Sequence, residues 1–164
     1  MNPHLSKTSL LPEEDVTSFP AEETLEAVSV PVTVICGGVA VASTIEASRI
    51  IQRDRSPIYF IPMKDVEHAL IAEADQVSID DRGNVIICYD IVVGDKVYWS
   101  AAWRYLSPPA NFAEIGSFLS FRPDRVDACI VGNLVAQTRG GQAVDEWNTP
   151  NLTGLLPPPA QPAL

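Results

Sequence analysis

Four aromatic side chains, Tyr59, Trp99, Trp103 and Tyr105, are the most chemically suggestive groups in this sequence. Trp99, Trp103 and Tyr105 lie four and then two residues apart in "KVYWSAAWRY", so on an extended strand they share a face. Aromatic faces in a row can floor a cage for a flat or cationic group. The same rings can fill a core between packed sheets. Core packing is the expectation for Trp99. Trp103 and Tyr105, just before the proline turn "SPP", suit a pocket rim or a core. Arg82, in the polar turn "DDRGN", suits either an anion contact or a solvated turn.

The remaining reactive side chains lack partners at telling spacing. Asp65 sits where a carboxylate serves the first turn of a helix. His68 has no Ser, Cys or carboxylate near it in a catalytic pattern and reads as an exposed helix residue. Glu114, three after Asn111, suggests a capping box. The three cysteines, Cys36, Cys88 and Cys129, are far apart and lie in apolar stretches, where Cys acts as a small hydrophobe. No C-x-x-C pair exists, and neither His4 nor His68 is near a cysteine, so no zinc or other metal site is expected. No catalytic constellation is visible, no cofactor is implied, and the sequence leans away from an enzyme.

The elements that would position these groups are mostly strands. "VPVTVICGG" and "VAVAST" read as a hairpin about Gly37-Gly38. "IEASRIIQ" has helical spacing, but its β-branched content favours a strand. "PIYFIP" is a strand stopped by Pro62, which has no N–H to extend a ladder. "MKDVEHALI" then predicts a short helix over 63–70. "QVSID", "VIICYDIVV", "KVYWSAAW" and "RVDACIVGNLV" read as further strands, and a second short helix is expected around 110–118. Many short strands with two short helices argue for a mainly antiparallel β domain and against a doubly wound α/β fold.

Three segments are expected. Residues 1 to about 28 form an acidic, flexible arm, residues 29–138 the folded domain, and residues 139–164 a Pro-rich tail that favours polyproline geometry. Trp147 is the exception in that tail, placed to pin it back onto the domain. The net charge of the 164-residue chain is -10, and no Lys/Arg cluster offers a landing patch. Nucleic acid and anionic membranes are therefore not expected as partners. No basic start followed by an apolar run opens the chain, which reads as cytoplasmic.

Four blocks, "VTVICGGVAVAST", "PIYFIPMKDV", "AAWRYLSPP" and "FLSFRPDRVDA", stand in the order and spacing of a small bacterial domain of unknown function. Over about residues 29–131 the chain resembles the DUF-427 family. The resemblance implies a β-tent, two antiparallel sheets leaning together along one edge, as in cereblon-type and yippee-like domains, which pin their sheets with zinc. It also brings a nucleotidyltransferase label. That chemistry normally uses paired carboxylates on Mg²⁺ beside a phosphate-binding loop. Asp80-Asp81 is the only adjacent acid pair on a predicted turn, and no G-x-x-x-x-G-K-[ST] stretch exists. Where the family has "C-P-[FY]-K-G-x-A", this chain has "IDDRGNV". Gly83 keeps the turn and Arg82 the positive charge, but Ile79, Asp80 and Asp81 replace the cysteine, proline and aromatic. Gln52 replaces a common glutamate. A pocket lined by that turn would be more acidic and less aromatic than its relatives.

Three readings follow. The first is a binding module with a pocket between two sheets, lined by Tyr59, Arg82, Trp103 and Tyr105, for a small molecule or a peptide end. The second is an interaction or assembly protein using its acidic arm and Pro-rich tail. The third is an enzyme of unidentified class, prompted by the inherited label. A homo-oligomer is compatible with all three.

Overall fold

The computed structural model describes residues 11–80, 82–139 and 143–156. Among the described residues the chain forms thirteen strands, with short 3-10 segments in some of the connections. Seven strands form one sheet: β2 (Thr24–Ala27), β5 (Ser48–Ile51), β6 (Ile58–Pro62), β10 (Phe118–Phe121), β9 (Lys96–Tyr105), β8 (Val85–Val93) and β7 (Ile71–Ile79), in that spatial order. A second sheet has the order β12 (Leu134–Ala136), β11 (Ala128–Val131), β3 (Val32–Cys36) and β4 (Val39–Thr44). Every pairing in both sheets is antiparallel. The mainly β, two-sheet architecture expected from the sequence holds. A small third pairing, β1 (Glu14–Asp15) with β13 (Leu152–Thr153), is parallel.

Strand alternation sends successive side chains to opposite faces, and two cores result. Tyr59, Ile61, Ile87, Leu119 and Phe121 face the four-stranded sheet and pack with Val32, Val34, Val41 and Cys129. Ile58, Phe60, Ile86, Trp103 and Tyr105 project from the other face and pack with Phe112 and Ile115. The two sheets meet along β4, where Ala42 bridges Val66 and the Val41 carbonyl accepts the Glu67 N–H at 2.8 Å.

That meeting explains why no helix runs over 63–70. Val66 is extended, with φ -106 and ψ 140, because it pairs with β4, so only two 3-10 turns form, Met63–Asp65 and His68–Leu70. A bridge between sheets has overridden a local helical pattern. The second expected helix is likewise a 3-10 segment, Ala110–Ile115, kinked at Phe112. Its cap position, Pro109, has no side chain able to cap, so the capping box expected from Asn111 and Glu114 does not form. Asp65 ties the first turn to β4 instead, accepting the Thr44 hydroxyl proton at 2.6 Å.

The Gly37-Gly38 hairpin forms as expected. Both residues have positive φ, +59 and +77, and a Cβ on Gly37 would stand 3.1 Å from Val93. The turn is fixed by Asp127, which accepts from the Gly37 N–H at 2.7 Å and the Tyr98 hydroxyl at 2.6 Å. These two donors hold the Asp127 carboxyl below its usual range.

The mobile arm is corrected for residues 11–28. β1 and β2 both pair, and Val16 and Phe19 pack with Ile51 in a small core of their own. The acidity read as a sign of mobility has a specific partner. Arg49 donates to Glu14 through its two terminal guanidinium nitrogens, at 3.0 and 2.5 Å, and to Glu26 through Nε at 2.6 Å. Residues 1–10 lie outside the described residues.

Trp147 does pin the following segment. It is fully buried, its ring centroid is 5.0 Å from that of Tyr59, and its Nε1 donates to the Phe121 carbonyl at 2.8 Å. The folded unit therefore extends past residue 138 to at least Leu156, and the prolines at 157–159 and 162 lie outside the described residues. Among the described residues no helix is long and apolar enough to cross a membrane.

Candidate functional site

The four candidate residues do not share one cage. Tyr59 faces the core between the sheets, where its hydroxyl accepts from Arg49 at 3.3 Å. Its neighbour Phe60 projects the other way, and Trp103 and Tyr105 join it there, with centroids 5.5 and 6.1 Å from the Phe60 ring. Trp103 and Tyr105 meet edge to face at 5.2 Å, and each is 1 % exposed. They are core residues. Among the described residues no hydrogen-bond partner meets the buried Trp103 Nε1.

Trp99 departs most from expectation: it is 66 % exposed and belongs to neither core. Strand β9 is broken between it and Trp103. Ser100 has φ +48, and the β8–β9 register shifts between Tyr89 and Ile91. Asp90 holds this bulge by accepting the Ser100 N–H at 2.7 Å. A bulge re-aims the side chains on one side of it, so the period-2 count from Trp103 back to Trp99 fails.

Two candidates reach cavities, but not the same one: Tyr59 lines a small cleft with Glu14, Glu26 and Arg49, and Arg82 lines another. The Arg82 cleft, of about 180 Å³, lies on the Trp103 face of the large sheet, under the 143–146 segment. Ile58, Ile79 and Ile86 supply apolar wall. Three guanidinium side chains converge there, Arg55, Arg82 and Arg122, together with Asp80, Asp145 and Glu146. Each group is held by the local fold. Asp80 accepts the backbone N–H groups of Arg82 and Asn84 at 2.9 and 2.8 Å, which shapes the β7–β8 turn around Gly83, φ +85. Arg82 Nε lies 2.7 Å from a Glu23 carboxylate oxygen. Arg122 donates to Asp145 at 2.9 Å and to the Ser100 carbonyl at 3.1 Å, so the β9 bulge also orients a cleft residue.

Glu146 accepts the Ser56 N–H at 3.0 Å and is 9 % exposed. Burial raises its pKa above the usual 4.5, against the pull of the Ser56 N–H and of Arg55, Arg139 and Arg82. Burial also raises the Tyr105 pKa, opposed by Arg82 and reinforced by Asp80, Glu23 and Asp145. The tyrosine thus sits within the field of the cleft although it does not line it.

The Glu146 shift has a stability consequence. A carboxyl whose folded pKa is raised takes up its proton in the folded state first. The penalty for ionising it is absent below the unfolded value near 4.5 and fully present above the folded value. Glu146→Gln keeps an acceptor for Ser56 and removes the charge. Its melting temperature should match or exceed that of the parent at pH 7, and the difference should shrink as the pH falls to 4. A variant less stable at pH 7 than at pH 4, relative to the parent, contradicts this.

Other reactive groups are accounted for structurally. The cysteines are buried and unpaired, and burial pushes the Cys36 thiol up to about 11. His68 is exposed and bonds the Met63 carbonyl at 2.7 Å. Among the described residues no three His, Cys, Asp or Glu side chains come together as a metal site.

A family model described as a domain of unknown function, DUF427 (NTP_transf_9), matches residues 24–132. The chain belongs to the DUF427 family. No curated protein matches it. The DUF427 segment contributes Arg55, Asp80, Arg82 and Arg122 to the cleft, and Asp145 and Glu146 come from beyond it. The cleft is therefore a composite of the DUF427 domain and the segment pinned by Trp147. Arg122 was visible in the "FLSFRP" block, and Asp145-Glu146 stands directly before the tryptophan expected to dock. The sequence carried those signals, but nothing in it joined them to Arg82.

Proposed function

We propose that this DUF427 chain is a cytoplasmic binding module whose cleft takes a small carboxylate-bearing ligand or the end of a peptide. The observation that carries this reading is the convergence of Arg55, Arg82 and Arg122 on one cleft with isoleucine walls. Guanidinium groups bind carboxylates bidentately, and an apolar wall beside them suits a short aliphatic group. At about 180 Å³ the cleft is smaller than the roughly 300 Å³ at which sites for larger ligands begin, so it suits a terminal group. The carboxylates beside each arginine hold the donors in place and restrict entry to ligands that exchange with Glu23 or join the pair. The assembly reading is weaker, because residues 11–28 and 143–156 pack onto their own domain.

The test is a thermal-shift titration with N-acetylvaline, which carries one carboxylate and one small aliphatic group. At 100 times its dissociation constant a ligand stabilises by about 2.7 kcal/mol, a clear rise in melting temperature. Arg82→Gln should abolish the rise. The unliganded variant should melt close to the parent, because the part-exposed Arg82–Glu23 pair contributes only about 0–1 kcal/mol. An equal rise in parent and variant defeats the assignment.

A further inference from the structure

The cleft holds acids as well as arginines. Asp80, Asp145 and Glu146 line it beside Arg55, Arg82 and Arg122, so its charges balance before any ligand enters. Glu23, paired with Arg82, adds a further negative charge. A ligand with a carboxylate alone would bring an uncompensated negative charge into a partly enclosed site, which is costly. A ligand carrying both signs leaves the balance unchanged.

The acids are not equally placed to meet a positive group. Asp80 is committed to its own turn: Oδ1 accepts the Arg82 and Asn84 N–H groups, and Oδ2 faces the Asn84 amide nitrogen at 3.4 Å. Asp145 and Glu146 are each half used. Asp145 accepts from Arg122 through Oδ1, and Glu146 accepts from the Ser56 N–H through Oε1. Among the described residues no hydrogen bond reaches Asp145 Oδ2 or Glu146 Oε2. Glu146 lines the cleft although it is only 9 % exposed. A carboxylate so buried, with one oxygen unmet, favours a charged donor. The same burial raises its pKa. These two acids come from the 143–146 segment and Arg82 from the β7–β8 turn, so different parts of the chain present the two signs.

Resting on the carboxylate reading of the cleft, we propose that its ligand is a zwitterion, a free α-amino acid with a short branched side chain. Its carboxylate lies at Arg82, its ammonium donates to Asp145 and Glu146, and its side chain lies against the isoleucine wall. A cleft of about 180 Å³ places the two charged groups of a ligand close together, as an α-amino acid does, and leaves little room for a longer chain.

The test is calorimetric titration of the full chain with L-valine and with 2-hydroxy-3-methylbutanoate, which has the same shape and a hydroxyl in place of the ammonium. Valine should bind about tenfold to a hundredfold more tightly, the difference expected for a hydrogen bond to a charged group. Glu146→Gln should cut that preference, and Arg82→Gln should weaken both ligands. If the hydroxy acid and N-acetylvaline bind through Arg82 as tightly as valine, the zwitterion is overturned and the carboxylate reading stands. A preference undiminished in Glu146→Gln also overturns the proposal. If valinamide binds as tightly as valine, the carboxylate is not recognised and both readings fall, as they do if none of these ligands binds. The comparison of ligands on the parent chain holds even where a variant folds poorly.

Discussion

Trp147→Ala should destabilise the protein by about 3–5 kcal/mol, the usual effect of emptying a large buried aromatic site. That is a large part of the 5–15 kcal/mol that holds a typical domain together. Three attachments fail with it. The indole packs on Tyr59, its Nε1 donates to Phe121, and it sits between Glu146, bound to Ser56, and Asn148, bridged to Gln137. The cleft should be lost as well, because Asp145 and Glu146 reach it only while the segment is docked. Urea unfolding should show a lower midpoint, and N-acetylvaline should no longer raise the melting temperature. Trp147→Phe isolates one contribution: it keeps most of the ring but leaves the Phe121 carbonyl without its indole donor, a loss of about 1–3 kcal/mol. A Trp147→Ala protein with parental stability would mean that the 143–156 segment is not docked in solution.

Trp103→Ala should be comparably damaging, about 3–5 kcal/mol, since Trp103 stands against Phe60 and Tyr105 at the centre of the second core. The phenylalanine variants should separate the two tryptophans. Trp103 Nε1 is buried without a partner, so Trp103→Phe removes an unsatisfied donor and offsets part of the lost volume. Trp147→Phe has no such compensation. Denaturant titration of both variants should rank Trp147→Phe as the more destabilised. Equal losses would mean that Trp103 Nε1 has a bound water in solution.

The sheet architecture was legible because it rests on period-2 patterning and turn chemistry, both local. Gly37-Gly38, Pro62 and the β-branched "SRII" each led to the correct element. The failures came where a distant group changed the local rule. Helical spacing over 63–70 lost to the bridge between Val66 and β4. The Trp99 count failed at a bulge held by Asp90 from another strand. The acidity of residues 11–28 suggested mobility because Arg49, more than 20 residues on, could not be assigned to Glu14 and Glu26 in advance. The site shows the same division. Arg82 was visible through its turn, and the aromatic residues through their spacing, but which face each ring takes depends on β6, where Tyr59 and Phe60 point apart.

The parallel contact between β1 and β13 has a kinetic meaning. Glu14 stands opposite Leu152, so this ladder closes a loop of 138 residues with only two paired positions. Closing so long a loop loses much chain entropy, and so few bonds return little until the sheets between have formed. The seam therefore belongs among the last contacts to assemble and the first to open under native conditions. Because the 143–146 cover of the cleft is carried on the same returning segment, the shape of the cleft is coupled to that seam, and a ligand held in the cleft would slow the opening of both.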